Sequence, residues 1–348
     1  RDYPHIIGNS TTKHVEYLVR TYEGEIKPGA LCRFFVFAAA WTLGKAADEG
    51  RKLEVRSDMS ALGLSDLVQD NRFEALKRAE SLEGAEERNA VAQLAKAVVP
   101  HFRMDTFQNV VRAAIDIYYQ RYHEILGRLA IGEGDTVAQA VFGCAGQRLV
   151  EPMPGIGVFL AMLKGWLGED AGRCFDILEE HLHGLHVLSD ELRDRGRRLL
   201  PRLGAYFAKN PVRVGLVTSS IAYEANIVLG EVFRVLQGQI EAWDLPGEKR
   251  RSIRDQFADP NRFYDAFITA SDSSEIRLKP HRDLHSLALH RLGLLPGQFH
   301  QVVGFEDSES GAIAIRAAGI PLCCALPFTL TQDHVFQAAT HTCTGGIP

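Results

Sequence analysis

The first part of the chain, residues 1–150, has the hydrophobic periodicity of α-helices. Val110, Ala114 and Ile117 recur at the spacing of one helical face, and Gly127 is well placed to end that helix. No part of this region alternates between apolar and polar positions for long. We therefore expect an all-helical domain that covers residues 1–150.

After residue 150, short apolar runs alternate with helical segments. We predict strands at residues 212–217, 267–269, 301–305 and 320–326, and helices at residues 158–167, 221–236, 281–292 and 308–318. Strands that alternate with helices are typical of parallel sheets covered on both faces. Residues 151–348 therefore predict a parallel α/β core, with charge-rich insertions at residues 171–202 and 241–261.

Composition and charge limit the class of partner. Of the 348 residues 46% are hydrophobic, and the formal charge of -5 argues against a chain-wide nucleic-acid surface. No apolar run approaches the roughly 20 residues that a membrane-spanning helix needs. The 6 cysteines include no CxxC pair, which favours free thiols in a reducing compartment. We expect a cytoplasmic protein with a small-molecule substrate, no nucleic acid and no membrane partner, and the oligomeric state stays open.

Polar side chains follow two of the predicted strands. Thr218 and Ser219 come after the first strand, where hydroxyl and backbone N–H groups suit a phosphate or simply cap the next helix. Glu306 and Asp307 come after the third strand, and adjacent carboxylates suit Mg²⁺, although Asp307 also fits as a helix cap. Lys279 would place one positive charge against a phosphoryl group. Because ligands of such sheets bind at the carboxyl ends of the strands, these residues are the candidate site.

Three histidines lie on the predicted helix at residues 281–292. His281, His285 and His290 flank its apolar stripe, so we interpret them as surface residues. His281 is two residues after Lys279 and would reach a substrate if its side chain pointed inward.

Three motifs occur in a fixed order along the chain: VGLVTS at residues 214–219, KPHRD at residues 279–283 and GFEDSESGAIAIRAAGI at residues 304–320. They resemble the second, third and fourth motifs of the haloacid dehalogenase-like superfamily, in the branch of phosphoglycolate phosphatase and β-phosphoglucomutase. The resemblance covers about residues 152–328. It implies a Rossmann-like parallel sheet core with a large all-helical cap domain.

The resemblance also implies a reaction and a role for each candidate residue. It implies a Mg²⁺-dependent phosphatase that hydrolyses a small phosphorylated metabolite through an aspartyl-phosphate intermediate. Thr218 would donate a hydrogen bond to a phosphoryl oxygen, and Lys279 would neutralise the phosphoryl group and the nucleophile. Asp307 would hold Mg²⁺, with Glu306 assisting. The cap would close over the site and exclude water.

The family's first motif is missing from this sequence. That motif is an Asp-x-Asp at the end of the central strand, and the chain contains no Asp-x-Asp. Losing that strand would leave a gap between the strands that end at Val217 and Phe305, where both neighbours lose hydrogen bonds. We expect residues before Arg1 to carry the strand and both aspartates. The rival interpretation is that another segment fills the gap.

Two other functions are compatible with the same core. A sugar phosphomutase would shield the phosphorylated aspartate until a second hydroxyl group arrives. A non-catalytic relative would keep the phosphate pocket without the nucleophile, and it would bind phosphate without turnover.

Overall fold

A computed structural model of the chain describes residues 10–82, 84–182, 189–272, 275–327, 331 and 334–343. The chain divides into two compact units, residues 1–133 and residues 134–348. Each unit contains hydrophobic clusters of its own.

The described residues of the first unit form helices and no strand. The α-helices are α1 (Thr11–Thr21), α2 (Pro28–Lys45), α3 (Glu49–Ala61), α4 (Asn71–Leu76), α5 (Ala85–Val98) and α6 (Phe107–Ala130). The long helix α6 begins after Thr106, whose Oγ1 accepts a hydrogen bond of 3.2 Å from the backbone N–H of Asn109. Helix α2 is apolar along most of its length, and it buries Phe35 and Trp41 while packing against α3, α4, α5 and α6.

The second unit is also mainly helical. Its α-helices are α7 (Gly134–Phe142), α8 (Ile156–Leu163), α9 (Phe175–Leu182), α10 (Asp190–Lys209), α11 (Ala222–Ile240), α12 (Gly247–Gln256), α13 (Pro260–Phe263), α14 (Asp283–Arg291) and α15 (Glu309–Ala317). The two charge-rich segments contribute to its core, since Cys174 and Phe257 are fully buried beside Phe233 and Leu236 of α11. No helix in the described part of either unit is long and apolar enough to cross a membrane.

Five short strands form two small parallel sheets in the second unit. In one sheet, β1 (Gly215–Val217) pairs with β2 (Ala266–Ile268). In the other sheet, β3 (Val303–Glu306) pairs with β4 (Leu322–Ala325), which pairs with β5 (His341–Thr342). All three pairs are parallel. Val217 and Glu306 are the last residues of β1 and β3, so each lies at the carboxyl end of its strand.

The prediction of one large Rossmann-like parallel sheet is wrong. The described residues form one sheet of two strands and one of three, and helices make up most of the chain. Each predicted strand overlaps an observed strand, although β2 begins one residue before its predicted range and β3 ends one residue after it. Within the described residues β1 pairs only with β2, and no described strand joins β1 to β3. The prediction failed because alternation of strands and helices along the sequence indicates only that neighbouring strands pair in parallel. It does not require that both edges of every strand are paired.

Candidate functional site

The carboxyl ends of β1 and β3 are linked by the side chain of Lys279. Its Nζ lies 3.4 Å from the backbone oxygen of Val217, the last residue of β1. The same Nζ forms an ion pair with Oε1 of Glu306, the last residue of β3. Both side chains are largely buried, with exposed fractions of 14% for Lys279 and 8% for Glu306. Three segments that are far apart in the sequence therefore meet at one lysine.

Glu306 is held by the start of the helix that follows it. Its Oε2 accepts a hydrogen bond of 3.2 Å from Oγ of Ser308. That Oγ in turn accepts a bond of 3.2 Å from the backbone N–H of Gly311, which caps α15. A Cβ atom on Gly311 would collide with the Glu306 carboxyl group, so this position must be glycine for the carboxylate to lie there. Ser308 therefore both caps the N-terminus of α15 and holds the Glu306 carboxylate.

The pKa of Glu306 is set by two opposing effects. Burial raises the pKa above its usual value, and the negative charge of Asp307 raises it further. The ammonium group of Lys279 and the hydroxyl group of Ser308 act in the opposite direction. Because burial is the largest effect, the pKa of Glu306 is raised, and its ionised form depends on Lys279.

Thr218 and Ser219 lie directly after the Lys279 contact on β1. The backbone N–H of Thr218 extends the pairing with β2 by donating to the Ile268 oxygen at 2.9 Å. Its side-chain Oγ1 accepts a hydrogen bond of 3.1 Å from the backbone N–H of Ser220. Thr218 and Ser219 are both half-buried. The structure therefore places the two hydroxyl residues at the same end of the strand as Lys279, without a hydrogen bond between either side chain and the lysine.

Asp307 is exposed beside Glu306, and these two residues are the candidate Mg²⁺ ligands. The described residues contain no group of three or more His, Cys, Asp or Glu side chains that could hold a metal ion. Mg²⁺ needs fewer protein ligands than that, because it keeps several waters and commonly binds one or two carboxylates together with substrate phosphate. Both oxygens of Glu306 already have partners, whereas Asp307 is open to solvent. The donor chemistry of these two carboxylates is compatible with Mg²⁺, and within the described residues Asp307 is the one with free oxygens.

The carboxylate that Lys279 contacts is a glutamate from β3 rather than an aspartate from a separate strand. Within the described part of the chain, Lys279 forms no ion pair or hydrogen bond with any aspartate. The strands β1 and β3, on which its two contacts lie, each leave one edge unpaired by described residues. A nucleophilic aspartate is therefore not among the described neighbours of this lysine.

The surface interpretation of His285 is wrong, whereas His281 and His290 are exposed. His285 is buried on α14 with its Nδ1 unpartnered among the described residues. Burial and the nearby charge of Lys279 lower the pKa of His285 to about 3, so it is neutral at physiological pH. Its position follows from the helical pattern, because it shares the buried face with Leu284 and Ala288.

Comparisons of the chain with protein-family models, with curated proteins and with solved structures find no match. The three motifs and the contacts of Lys279 are therefore the basis for a functional assignment.

Proposed function

We propose that the protein is a Mg²⁺-dependent phosphatase of a small phosphorylated metabolite that acts through an aspartyl-phosphate intermediate. The observation that carries the proposal is the meeting of three motifs at Lys279, which contacts the end of β1 and the carboxylate at the end of β3. An ammonium group, hydroxyl groups and carboxylates at the carboxyl ends of parallel strands form a chemically suitable set for a phosphoryl group.

Each residue has a defined role in this proposal. Lys279 exchanges its contact with Glu306 for a phosphoryl oxygen and neutralises part of the developing charge. Thr218 donates its hydroxyl hydrogen to a second phosphoryl oxygen, and Ser219 lines the same pocket. Asp307, assisted by Glu306, would hold Mg²⁺, which supplies positive charge to the phosphoryl oxygens. Ser308 keeps the Glu306 carboxylate in place throughout.

The nucleophile is an aspartate that we assign to a segment outside the described residues. In the first step a carboxylate oxygen of this aspartate attacks phosphorus and the bond between phosphorus and the substrate oxygen breaks, while the second aspartate of the expected Asp-x-Asp motif donates a proton to the leaving oxygen. In the second step the second aspartate, now ionised, accepts a proton from the water that attacks phosphorus, and the bond between phosphorus and the nucleophilic aspartate breaks to release inorganic phosphate. The free thiols of all six cysteines are consistent with a reducing cytoplasmic compartment.

A second candidate is a protein that binds phosphate without turnover. The specific observation in its favour is that Lys279 pairs with Glu306, while no described aspartate contacts it. In that case Lys279 and Thr218 hold the anion, and nothing attacks phosphorus.

The test is phosphate release from a panel of phosphate monoesters by the full-length protein in Mg²⁺, comparing Lys279→Met with Lys164→Met. Lys164 is a matched control, because its side chain is also 14% exposed and its Nζ pairs with Asp265 at 2.7 Å. Asp265 precedes β2, so the control lies at the opposite end of this sheet. Lys279→Met should lower kcat/KM by about 100-fold or more, as loss of one charge-stabilising donor does. Lys164→Met should stay within about threefold of wild type.

Each outcome decides between the candidate functions. Equal activity of the two lysine variants would refute the role of Lys279. Lys279-dependent binding of phosphate without hydrolysis of any ester would favour the non-catalytic protein. Isomerised sugar phosphate without free phosphate would identify a mutase.

A further inference from the structure

Helix α10 has one packed side and one side that no described residue covers. On the packed side, Arg193 forms an ion pair with Glu179, and Arg197 forms one with Asp176 at 2.8 Å. The packed side also places Gly204 against the segment that contains Gly168. The opposite side faces solvent over most of the helix.

The solvent side carries a row of large apolar side chains. Leu192, Leu203 and Tyr206 are 51%, 41% and 59% exposed, and Leu199 lies between them and is half-buried. The positions 192, 199 and 206 are seven residues apart, and 203 lies between the last two. This is the spacing at which one helix packs along another. Single exposed apolar residues are ordinary, but a row at helix-packing spacing is typical of an interaction surface.

A row of arginines runs beside the apolar row. Arg195, Arg198 and Arg202 lie on the same exposed side of α10, three and four residues apart. None of them forms an ion pair or hydrogen bond with a described residue, although Arg193 and Arg197 on the packed side are both paired. Three unpaired guanidinium groups side by side repel one another, and a partner's carboxylates would relieve that repulsion. Glu191 and Asp194 lie one turn before Arg195 and Arg198, but no ion pair forms between them. The helix as a whole carries 6 Arg or Lys residues against 3 Asp or Glu residues, so its charge is positive although the whole chain has a formal charge of -5.

We infer that this side of α10 is a docking surface for an acidic amphipathic helix of a partner protein. The apolar row of α10 covers the apolar stripe of that helix, and the arginine row pairs with its flanking Glu or Asp residues. A nucleic acid would satisfy the arginines but would leave Leu199 and Leu203 uncovered. A second copy of α10 packed antiparallel across Leu199 would bring like-charged arginines together. The inference is independent of the proposed phosphatase activity.

The test uses a synthetic 21-residue helical peptide with Leu at its a and d positions and Glu at its e and g positions. Binding to the full chain is followed by fluorescence anisotropy of the labelled peptide. Two charge-reversal variants of equal net charge are compared with wild type: R195E/R198E/R202E on α10, and the exposed-arginine control R56E/R148E/R251E. The α10 variant should weaken binding at least about tenfold, because several charge pairs are lost together, and the control variant should bind like wild type.

A second variant separates the apolar row from general attraction of opposite charges. Leu203→Ser keeps every arginine and should weaken peptide binding about tenfold, because one apolar contact at the centre of the interface is removed. The inference is overturned if the same peptide with Lys in place of Glu binds equally well. It is also overturned if binding survives reversal of the three arginines. The inference is also overturned if a single-stranded oligonucleotide or anionic lipid vesicles bind more tightly than the peptide and their binding does not depend on Leu203. Dimerisation that depends on Leu203 would overturn it in favour of a second copy of the chain.

Discussion

Asp116 in the first unit is the carboxylate whose titration should dominate the pH dependence of that unit. It is fully buried on α6, and one of its oxygens pairs with Arg51 from α3. Its other oxygen and Nε of Arg51 have no partner among the described residues. Burial raises the pKa of Asp116 from 3.8 to about 7, opposed by Arg51 and reinforced by the negative charges of Asp58 and Glu54.

The size and sign of the effect follow from this shift. Between pH 3.8 and about pH 7 the folded protein binds a proton at Asp116 that the unfolded chain has released. The free energy of unfolding therefore falls as pH rises through this window. A shift of about 3 pH units corresponds to about 4 kcal/mol, since each unit is worth about 1.4 kcal/mol. Asp116→Asn removes the titrating group, so the free energy of unfolding of this variant should not show this decrease between pH 3.8 and about pH 7.

The assay is urea unfolding between pH 4 and pH 8, followed by the fluorescence of Trp41. Trp41 is the tryptophan of residues 1–133, so Trp166 and Trp243 are first replaced by phenylalanine. The free energy of unfolding with Asp116 should fall by about 4 kcal/mol relative to Asp116→Asn as pH rises.

Glu54→Gln is the control for this experiment, because Glu54 contacts the same Arg51 but its side chain is 65% exposed. This variant should keep most of the fall but end it at a lower pH, since it removes one negative charge that raises the pKa of folded Asp116. Parallel pH profiles for wild type and Asp116→Asn would refute the reasoning.

Two further substitutions test how the second unit positions its polar groups. Gly311→Ala should lower the free energy of unfolding by about 1–3 kcal/mol, because its Cβ would displace the Glu306 carboxylate. Gly230→Ala in α11 is the control, because a Cβ there meets open space, and it should raise the free energy of unfolding by up to about 1 kcal/mol. Both are measured by urea unfolding, and equal effects of the two alanines would contradict the close approach at Gly311. Burial raises the pKa of Asp272, but bonds from Thr269 and Arg291 outweigh it and hold this pKa below its usual value. Asp272→Asn should therefore lower the free energy of unfolding by about 1–3 kcal/mol at pH 7. The loss should be smaller below pH 4, where protonation of Asp272 removes the stabilisation that its carboxylate provides. An equal loss at both pH values would contradict this.

Local structure could be read from the sequence with some accuracy. The predicted strand at residues 212–217 contains β1, and the predicted strand at residues 320–326 contains β4, because apolar runs between turn residues favour buried strands. The pairing of these strands could not be read in the same way. Whether a second strand lies beside β1 depends on segments that are distant in the sequence, and hydrophobic periodicity carries no information about them.

The site shows the same division between local and long-range information. The order of the three motifs was sufficient to select Thr218, Lys279 and Glu306 as one group. The ion pair between Lys279 and Glu306 could not be derived from their spacing, since 26 residues separate them and include irregular chain, helix α14 and most of strand β3. The burial of His285 was predictable from the apolar positions beside it on α14, but its polarity led to the wrong interpretation.

The charge of the site explains why a cation belongs to the proposed function. Glu306 and Asp307 carry two negative charges, and Lys279 supplies one positive charge. A phosphate monoester dianion entering this site without a cation would meet net repulsion, which would weaken its binding to Lys279. In the proposed function, Asp307 would hold a divalent cation that reverses the sign of the local charge, and Lys279 would then be able to exchange Glu306 for a phosphoryl oxygen. If both ligands bind as proposed, cation and phosphate would increase each other's affinity by the same factor, because the coupling free energy between two ligands is reciprocal.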